Sequence, residues 1–145
     1  MSEKKVLPAV FCIFFFASCE PYTGASVANS SNQIVKVKIS YSNNETVKKY
    51  VDGNKGFGNF VRFIWNYQGS DGKLISIDST DYSATIELKP KDTLDIWGGI
   101  HQSDDFDEID EVTISKDYNK KTIKGYDIQT KFEKQQGGLY IYTVK

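Results

Sequence analysis

Six carboxylates stand within eight positions of this 145-residue chain: Asp104, Asp105, Asp107, Glu108, Asp110 and Glu111. Such a run could serve calcium, which takes about six to eight hard oxygen ligands. Counted as an EF-hand loop from Asp105, the pattern fails. Ile109 falls at the fifth position, Asp110 replaces the glycine of the sixth, and Lys116 replaces the closing glutamate. The run therefore reads as a solvated acidic loop anchored in the core by Phe106 and Ile109, and no metal is expected. Just upstream lie His101 and Trp97. By strict alternation Trp97 shares a face with Thr93 and Asp95, opposite Leu94 and Ile96. An indole on a polar face, beside carboxylates and an imidazole, can stack on a sugar ring or anchor a partner protein. Trp97, His101, Asp104, Asp105 and Asp107 are thus the candidate ligand-binding residues. The competing expectation is that both faces of this strand are covered, with Trp97 filling a second layer of core.

Catalytic chemistry finds little to work with. Zinc sites draw on several His and Cys ligands, and beyond Cys19 the chain has one His and no further Cys. A serine triad would have to use His101 as its base, and no Gly-x-Ser-x-Gly elbow is present. A carboxylate pair for glycoside hydrolysis is easy to imagine among 19 acids and impossible to single out. The stretch Gly53-Asn54-Lys55-Gly56-Phe57-Gly58 lacks the Gly-Lys-Ser/Thr ending of a phosphate loop, shows no helical pattern behind it, and reads as a mobile loop. No catalytic residue, no cofactor and no enzymatic activity are expected.

The elements that must position these residues are strands. The chain is 39% hydrophobic and 14% aromatic with a net charge of -1, a composition that can bury a core. The near balance of charge excludes a strongly basic nucleic-acid binder. Val35, Val37, Ile39 and Tyr41 alternate with polar residues, as do Val61, Phe63, Trp65 and Tyr67, and Tyr82, Ala84, Ile86 and Leu88. Period two predicts half-buried strands. Shorter strands are expected at 46–51, 74–78, 93–97, 112–115, 126–132 and 139–144. Turn signals separate them at Asp52-Gly53, 69–72, 89–92, Gly98-Gly99 and Gly137-Gly138. In the last strand, residues 139–144, both faces carry apolar bulk, as in a central strand. No sustained apolar stripe at helical spacing is evident; one helical turn is expected behind Ser103. The fold class is therefore all-β: an antiparallel β-sandwich, Ig-like or related, with a barrel as the alternative.

The first residues read as an address. Glu3-Lys4-Lys5 precedes an apolar run from Val6 to Phe16, then Ala17-Ser18-Cys19. Eleven residues are too few for a bilayer-spanning helix, which needs about 20, and Pro8 weakens such a helix further. The layout fits a secretory signal. Phe16-Ala17-Ser18-Cys19 resembles a bacterial lipobox. That resemblance implies a diacylglyceryl group on the Cys19 thiol, cleavage before it, and acylation (commonly palmitate) of the new amino terminus. Two or three acyl chains make a stable anchor where one is marginal. Residues 1–18 would then be the signal peptide, 19–33 a lipidated flexible tether, small and polar in composition, and 34–145 a single β-sandwich domain. With its Ser-Cys lipobox, its Asn/Ser-rich tether and the Leu88-Lys-Pro-Lys-Asp-Thr-Leu94 edge, the whole resembles the small β-sandwich lipoproteins of Bacteroidota. The resemblance implies a cell-envelope protein anchored to the outer membrane through Cys19. Its expected role is a non-catalytic binding or interaction module whose partner is a glycan or an envelope protein. A structural or accessory subunit of an envelope complex is the alternative, and a small hydrolase the least supported.

Overall fold

The computed structural model describes residues 22–67, 70–100 and 105–145. Its strands are β1 (Tyr22–Asn29), β2 (Val35–Tyr41), β3 (Lys73–Asp78), β4 (Ser83–Leu88), β5 (Thr93–Ile100), β6 (Ile109–Lys116), β7 (Asn119–Lys124), β8 (Glu133–Lys134) and β9 (Leu139–Val144). Three helices join them: α1 (Glu45–Gly53), α2 (Phe57–Tyr67) and the single turn α3 (Ile128–Lys131). One sheet has the order β5-β1-β9-β8 and the other β3-β4-β2-β6-β7. They pack face to face as a β-sandwich and do not close into a barrel. All pairings are antiparallel except β1 with β9.

The alternations in β2 and β4 hold as read. Val35, Val37, Ile39 and Tyr41 point into the core from β2, and Ala84, Ile86 and Leu88 from β4. Val112 and Ile114 join them from β6, and Ile123 from β7. The facing sheet contributes Ala25, Val27, Leu94, Tyr140 and Val144. In β9 the Tyr140 and Val144 face is thus the core face, and the strand is interior to its sheet, between β1 and β8.

The expected tether at 19–33 is corrected by β1, which pairs on both sides and buries Ala25, Ser26, Val27 and Asn29. The domain therefore includes residues from Tyr22 onward. Gly24 and Gly98 face each other in the register, and the Tyr22 ring lies where their Cβ atoms would stand. Asn29 ties the sheets together. Its amide donates to the carbonyls of Gln33 (2.8 Å) and Leu88 (3.1 Å), and its oxygen accepts from the backbone N–H and hydroxyl of Ser31. A buried amide satisfied on both its oxygen and its nitrogen costs little to bury and fixes the geometry.

Residues 46–51 and 61–67, expected as strands, form α1 and most of α2. The period-two reading of Val61, Phe63, Trp65 and Tyr67 fails because the true stripe is Phe57, Phe60, Val61 and Ile64, at i, i+3, i+4 and i+7. Phe63, on the other side, is 51% exposed. In α1, Val47 and Val51 make the same one-sided contact, and the Asn44 side chain caps the helix by accepting from the Val47 N–H (2.9 Å). The glycine stretch 53–58 is the corner between the two helices rather than a loop with no helix behind it. Lys55 and Gly56 take positive φ there, and the Gly56 N–H bonds the Val51 carbonyl (2.8 Å). Residues 126–132, also expected as a strand, are a 3-10 turn followed by α3. Gly98-Gly99 lies inside β5 and is no turn.

Together α1 and α2 close the gap between the β3 edge of one sheet and the β5 edge of the other. An aromatic cluster fills this side. Tyr41 meets Phe57 and Phe60 edge-on (6.0 and 5.4 Å between centroids), Phe57 meets Tyr82 (5.0 Å), and Tyr50 meets Trp97 (5.9 Å). A void of about 10 Å³ remains beneath α2, at most room for a single water.

Candidate functional site

Trp97 belongs to this aromatic cluster. It is 5% exposed and lies within 6.4 Å, centroid to centroid, of Tyr41, Tyr50 and Phe60. Strict alternation puts it on the wrong face because β5 carries a bulge. Ser26 pairs with Asp95 and Ala25 with Trp97, so Ile96 is an extra residue and the phase flips across it. Leu94, Ile96 and Trp97 are all buried as a result. The structure thus favours the core alternative for Trp97 over a ligand-stacking surface. Among the described residues its indole N–H has no hydrogen-bond partner, and neither has that of Trp65. Tyr41 beside it donates to the Ile96 carbonyl (3.3 Å), and burial pushes its phenol well above the ordinary range, so the proton stays on.

His101 and Asp104 lie outside the described residues. Asp105 and Asp107 are exposed, on a loop anchored by Phe106 (0% exposed) and Ile109 (3%), the two anchors expected from the sequence. Phe106 takes a positive φ of 55°, which turns its ring inward onto Tyr140 (5.4 Å). The Asp107 carbonyl accepts from the Ser42 hydroxyl and the Asn44 amide (3.0 Å), stitching the loop to the start of α1. Close packing holds the other flank, since Gly125 lies so near the Ile109 carbonyl that a Cβ there would sit 1.9 Å from its oxygen. Among the described residues no group of three or more His, Cys, Asp or Glu is arranged to hold a metal. Residues 105–108, behind Ser103, form turns rather than a helical turn.

Glu108 in this loop is the carboxylate that the sequence does not single out. It is 8% exposed, and among the described residues Oε2 has no hydrogen-bond partner. Burial raises its pKa above the ordinary value. A hydrogen bond from its own backbone N–H opposes this, and the charges of Asp105 and Asp107 add to it.

The structure does not gather Trp97, Asp105 and Asp107 around one concavity. Two open depressions lie elsewhere. A shallow polar dish of about 390 Å³ is lined by Ser42, Thr80, Asp81, Tyr82 and Asp110. Asp110 there is held by Lys124 (3.8 Å), which also bonds Glu111 (2.9 Å). The second depression is a groove of about 330 Å³ on the side of the sandwich opposite α1 and α2, between β7 and β9. Lys116, Lys120, Lys121 and Lys145 line it, over a floor that includes Ile114 and Tyr142. Lys121 spans it, its Nζ bonding the Tyr142 hydroxyl (2.8 Å) and lying 4.7 Å above the ring centre. Sequence reasoning missed this groove because it missed β7. The hairpin turns on Asp117-Tyr118 without a glycine, Asp117 itself taking the positive φ (51°). The Asp-Tyr-Asn cluster at 117–119 was the available signal.

No protein-family model matches the chain, and no curated protein or solved structure matches it either. Among the described residues no helix is long and apolar enough to cross a membrane. The fold and its open groove define a two-sheet β-sandwich sealed on one side by its own helices.

Proposed function

We propose that this protein is a lipid-anchored, non-catalytic interaction module of the bacterial cell envelope, tethered to the outer membrane through Cys19. The observation that carries this reading is the apolar run 6–16 ending in Ala17-Ser18-Cys19. Only Glu20 and Pro21 separate Cys19 from β1. Three residue steps reach at most about 11 Å, so a lipid on Cys19 holds the Tyr22 end of the sandwich against the bilayer. The β8–β9 turn is at that same end, since the Gly24 N–H bonds the Gly138 carbonyl (3.3 Å). Along β1, about 23 Å of strand then carries the opposite end outward. There Asn29 pairs with Val144, and Ile34 and Tyr118 stand exposed, Tyr118 completely. Apolar and aromatic groups presented away from the bilayer suit protein contact.

Mass spectrometry of the protein isolated from membranes tests the anchor. An acylated Cys19 at the amino terminus is expected, and Cys19→Ala should move the protein to the soluble fraction. An unmodified terminus at or beyond Cys19 defeats the reading. A protein that co-isolates in constant ratio supports the interaction role, and retention of a glycan instead would redirect it to carbohydrate binding.

A further inference from the structure

We infer that the β7–β9 groove is a strand-docking site for an extended acidic segment of a partner protein, which adds to the free edge of β9; this deepens the interaction reading above and rests on it. The backbone supplies the first half of the argument. Strand β8 pairs only with Tyr140 and Ile141. Beyond Ile141 no strand among the described residues lies on that edge. The direction of the backbone groups follows from parity. The Val144 carbonyl accepts from Ser30 on the β1 side (2.9 Å), whereas the Leu139 carbonyl accepts from Gln135 on the β8 side (2.7 Å). Odd-numbered residues of β9 therefore direct their N–H and C=O outward, and Thr143 presents both to the groove. A partner strand laid there continues the sheet, and main-chain bonds of this kind give affinity in β-augmentation.

Charge selects the occupant. Among the described residues four lysines line the groove and no acidic side chain does. Basic or neutral strands gain nothing from those ammonium groups, and lysines on an edge deter indiscriminate pairing. A second copy of this chain would bring the same four lysines to the same edge, so like charges oppose a symmetric edge-to-edge dimer. A strand with carboxylates at alternate positions sends one face of acids toward Lys116, Lys120 and Lys121. Tyr142 and Ile114 offer it an apolar floor. Tyr118, fully exposed at the tip of the β6–β7 hairpin, stands at the distal lip, braced by Gln33 donating to Asp117 (3.3 Å).

The test is fluorescence anisotropy with the full-length protein in detergent micelles and a labelled eight-residue peptide alternating Glu and Thr. Saturable binding is expected, weaker by at least tenfold for the Lys/Thr counterpart. The double variant Lys120→Glu, Lys121→Glu should also lose at least tenfold. Thr143→Pro removes the outward N–H while sparing the bonds to β1, a placement edge strands tolerate, and should cost a similar factor. Because that variant could fold poorly, a Glu/Thr peptide N-methylated at alternate amides asks the same question of the unaltered protein, and should also bind at least tenfold more weakly. Slowed hydrogen exchange at the Thr143 amide on binding would place the strand. Equal affinity for acidic and basic peptides overturns the proposal. So does indifference to N-methylation, or equal displacement by linear polyphosphate, which would reveal only a basic patch. A constant partner that survives Lys120→Glu, Lys121→Glu would overturn the groove and leave the interaction module standing. A Cys19 without lipid would overturn the anchor and leave peptide binding unchanged.

Discussion

Between the edges of β3 and β5 the sandwich is closed by α1 and α2; between β7 and β9 the single turn α3 covers only part of the gap, and the groove beside it is open. The two gaps pose the same problem, since neither pair of edges is joined by a strand. On the first side the chain covers its own core with a stripe of Phe57, Phe60, Val61 and Ile64, and Tyr41, Tyr50, Tyr82 and Trp97 pack around it. On the second side Phe132 packs on the Tyr142 ring (5.5 Å), and flexible lysines span the rest: Lys121 to the Tyr142 hydroxyl and Lys116 to the Lys145 carbonyl. Burial makes the first side a source of stability. The charge and hydration of the second make it a surface, and surfaces tolerate change and carry interactions.

The comparison breaks first where the helices meet the sheets. Phe60, 1% exposed, is the centre of the sealed side. Phe60→Ala should cost about 3–5 kcal/mol, the usual range for a buried phenylalanine. Urea denaturation followed by tryptophan fluorescence measures it, since Trp97 lies 6.4 Å from Phe60, centroid to centroid. Trp97→Ala should fall in the same range. A loss below about 1 kcal/mol at either position would mean that the helical pair is a loosely held cover, not part of the core.

What the sequence disclosed follows the same division. The regular strands β2 and β4 were legible because their cores obey period two without interruption, and β9 because an apolar run with bulk on both faces follows Gly137-Gly138. The sandwich followed from them. α2 was misread because Val61, Phe63, Trp65 and Tyr67 satisfy period two by accident, while the helical stripe began four residues earlier, at Phe57, inside a glycine-rich stretch. β1 was hidden by composition: Gly24, Ala25, Ser26 and Ala28 look like linker, yet Ala25 and Ser26 are buried and the Tyr22 ring lies where a Cβ on Gly24 would stand. Trp97 was placed on the wrong face by one inserted residue, Ile96, whose bulge shows only in the pairing register. The groove was invisible because its walls are 21 residues apart in sequence, Lys121 meeting Tyr142 only through the topology.

A middle-sized effect sits at the acidic loop, where the two sides share an end. Glu108 is held with a raised pKa. The folded protein therefore binds the proton more tightly than the unfolded chain, whose glutamate titrates near 4.5. Stability from this group is fully present below that unfolded value and is lost as pH rises through the folded one. Glu108→Gln removes the buried charge. It should stabilise the protein at pH 7, and the advantage should vanish as the pH falls below the unfolded value. Thermal melts of both proteins from pH 3 to 8 would show the curves converging on the acid side. A constant offset across that range would mean that packing rather than ionisation sets the difference.

The smallest effect is the sharpest test of the comparison. Lys121 is exposed, and its ammonium engages Tyr142 through one hydrogen bond and the ring face. A contact of this kind on an open surface holds a flexible side chain in place against its own entropy, and salt screens it further. Lys121→Ala should therefore change the unfolding free energy by no more than about 0.5 kcal/mol in 0.15 M salt. The urea dependence of unfolding should also keep its slope, because no buried area is lost. If the variant instead lost as much as Phe60→Ala, Lys121 would be the closing element of its side, as α2 is of the other. The groove would then be a seam of the core. A small effect on stability joined to a large effect on acidic-peptide binding is the signature of a surface held open for a partner, since only such a surface separates the two quantities.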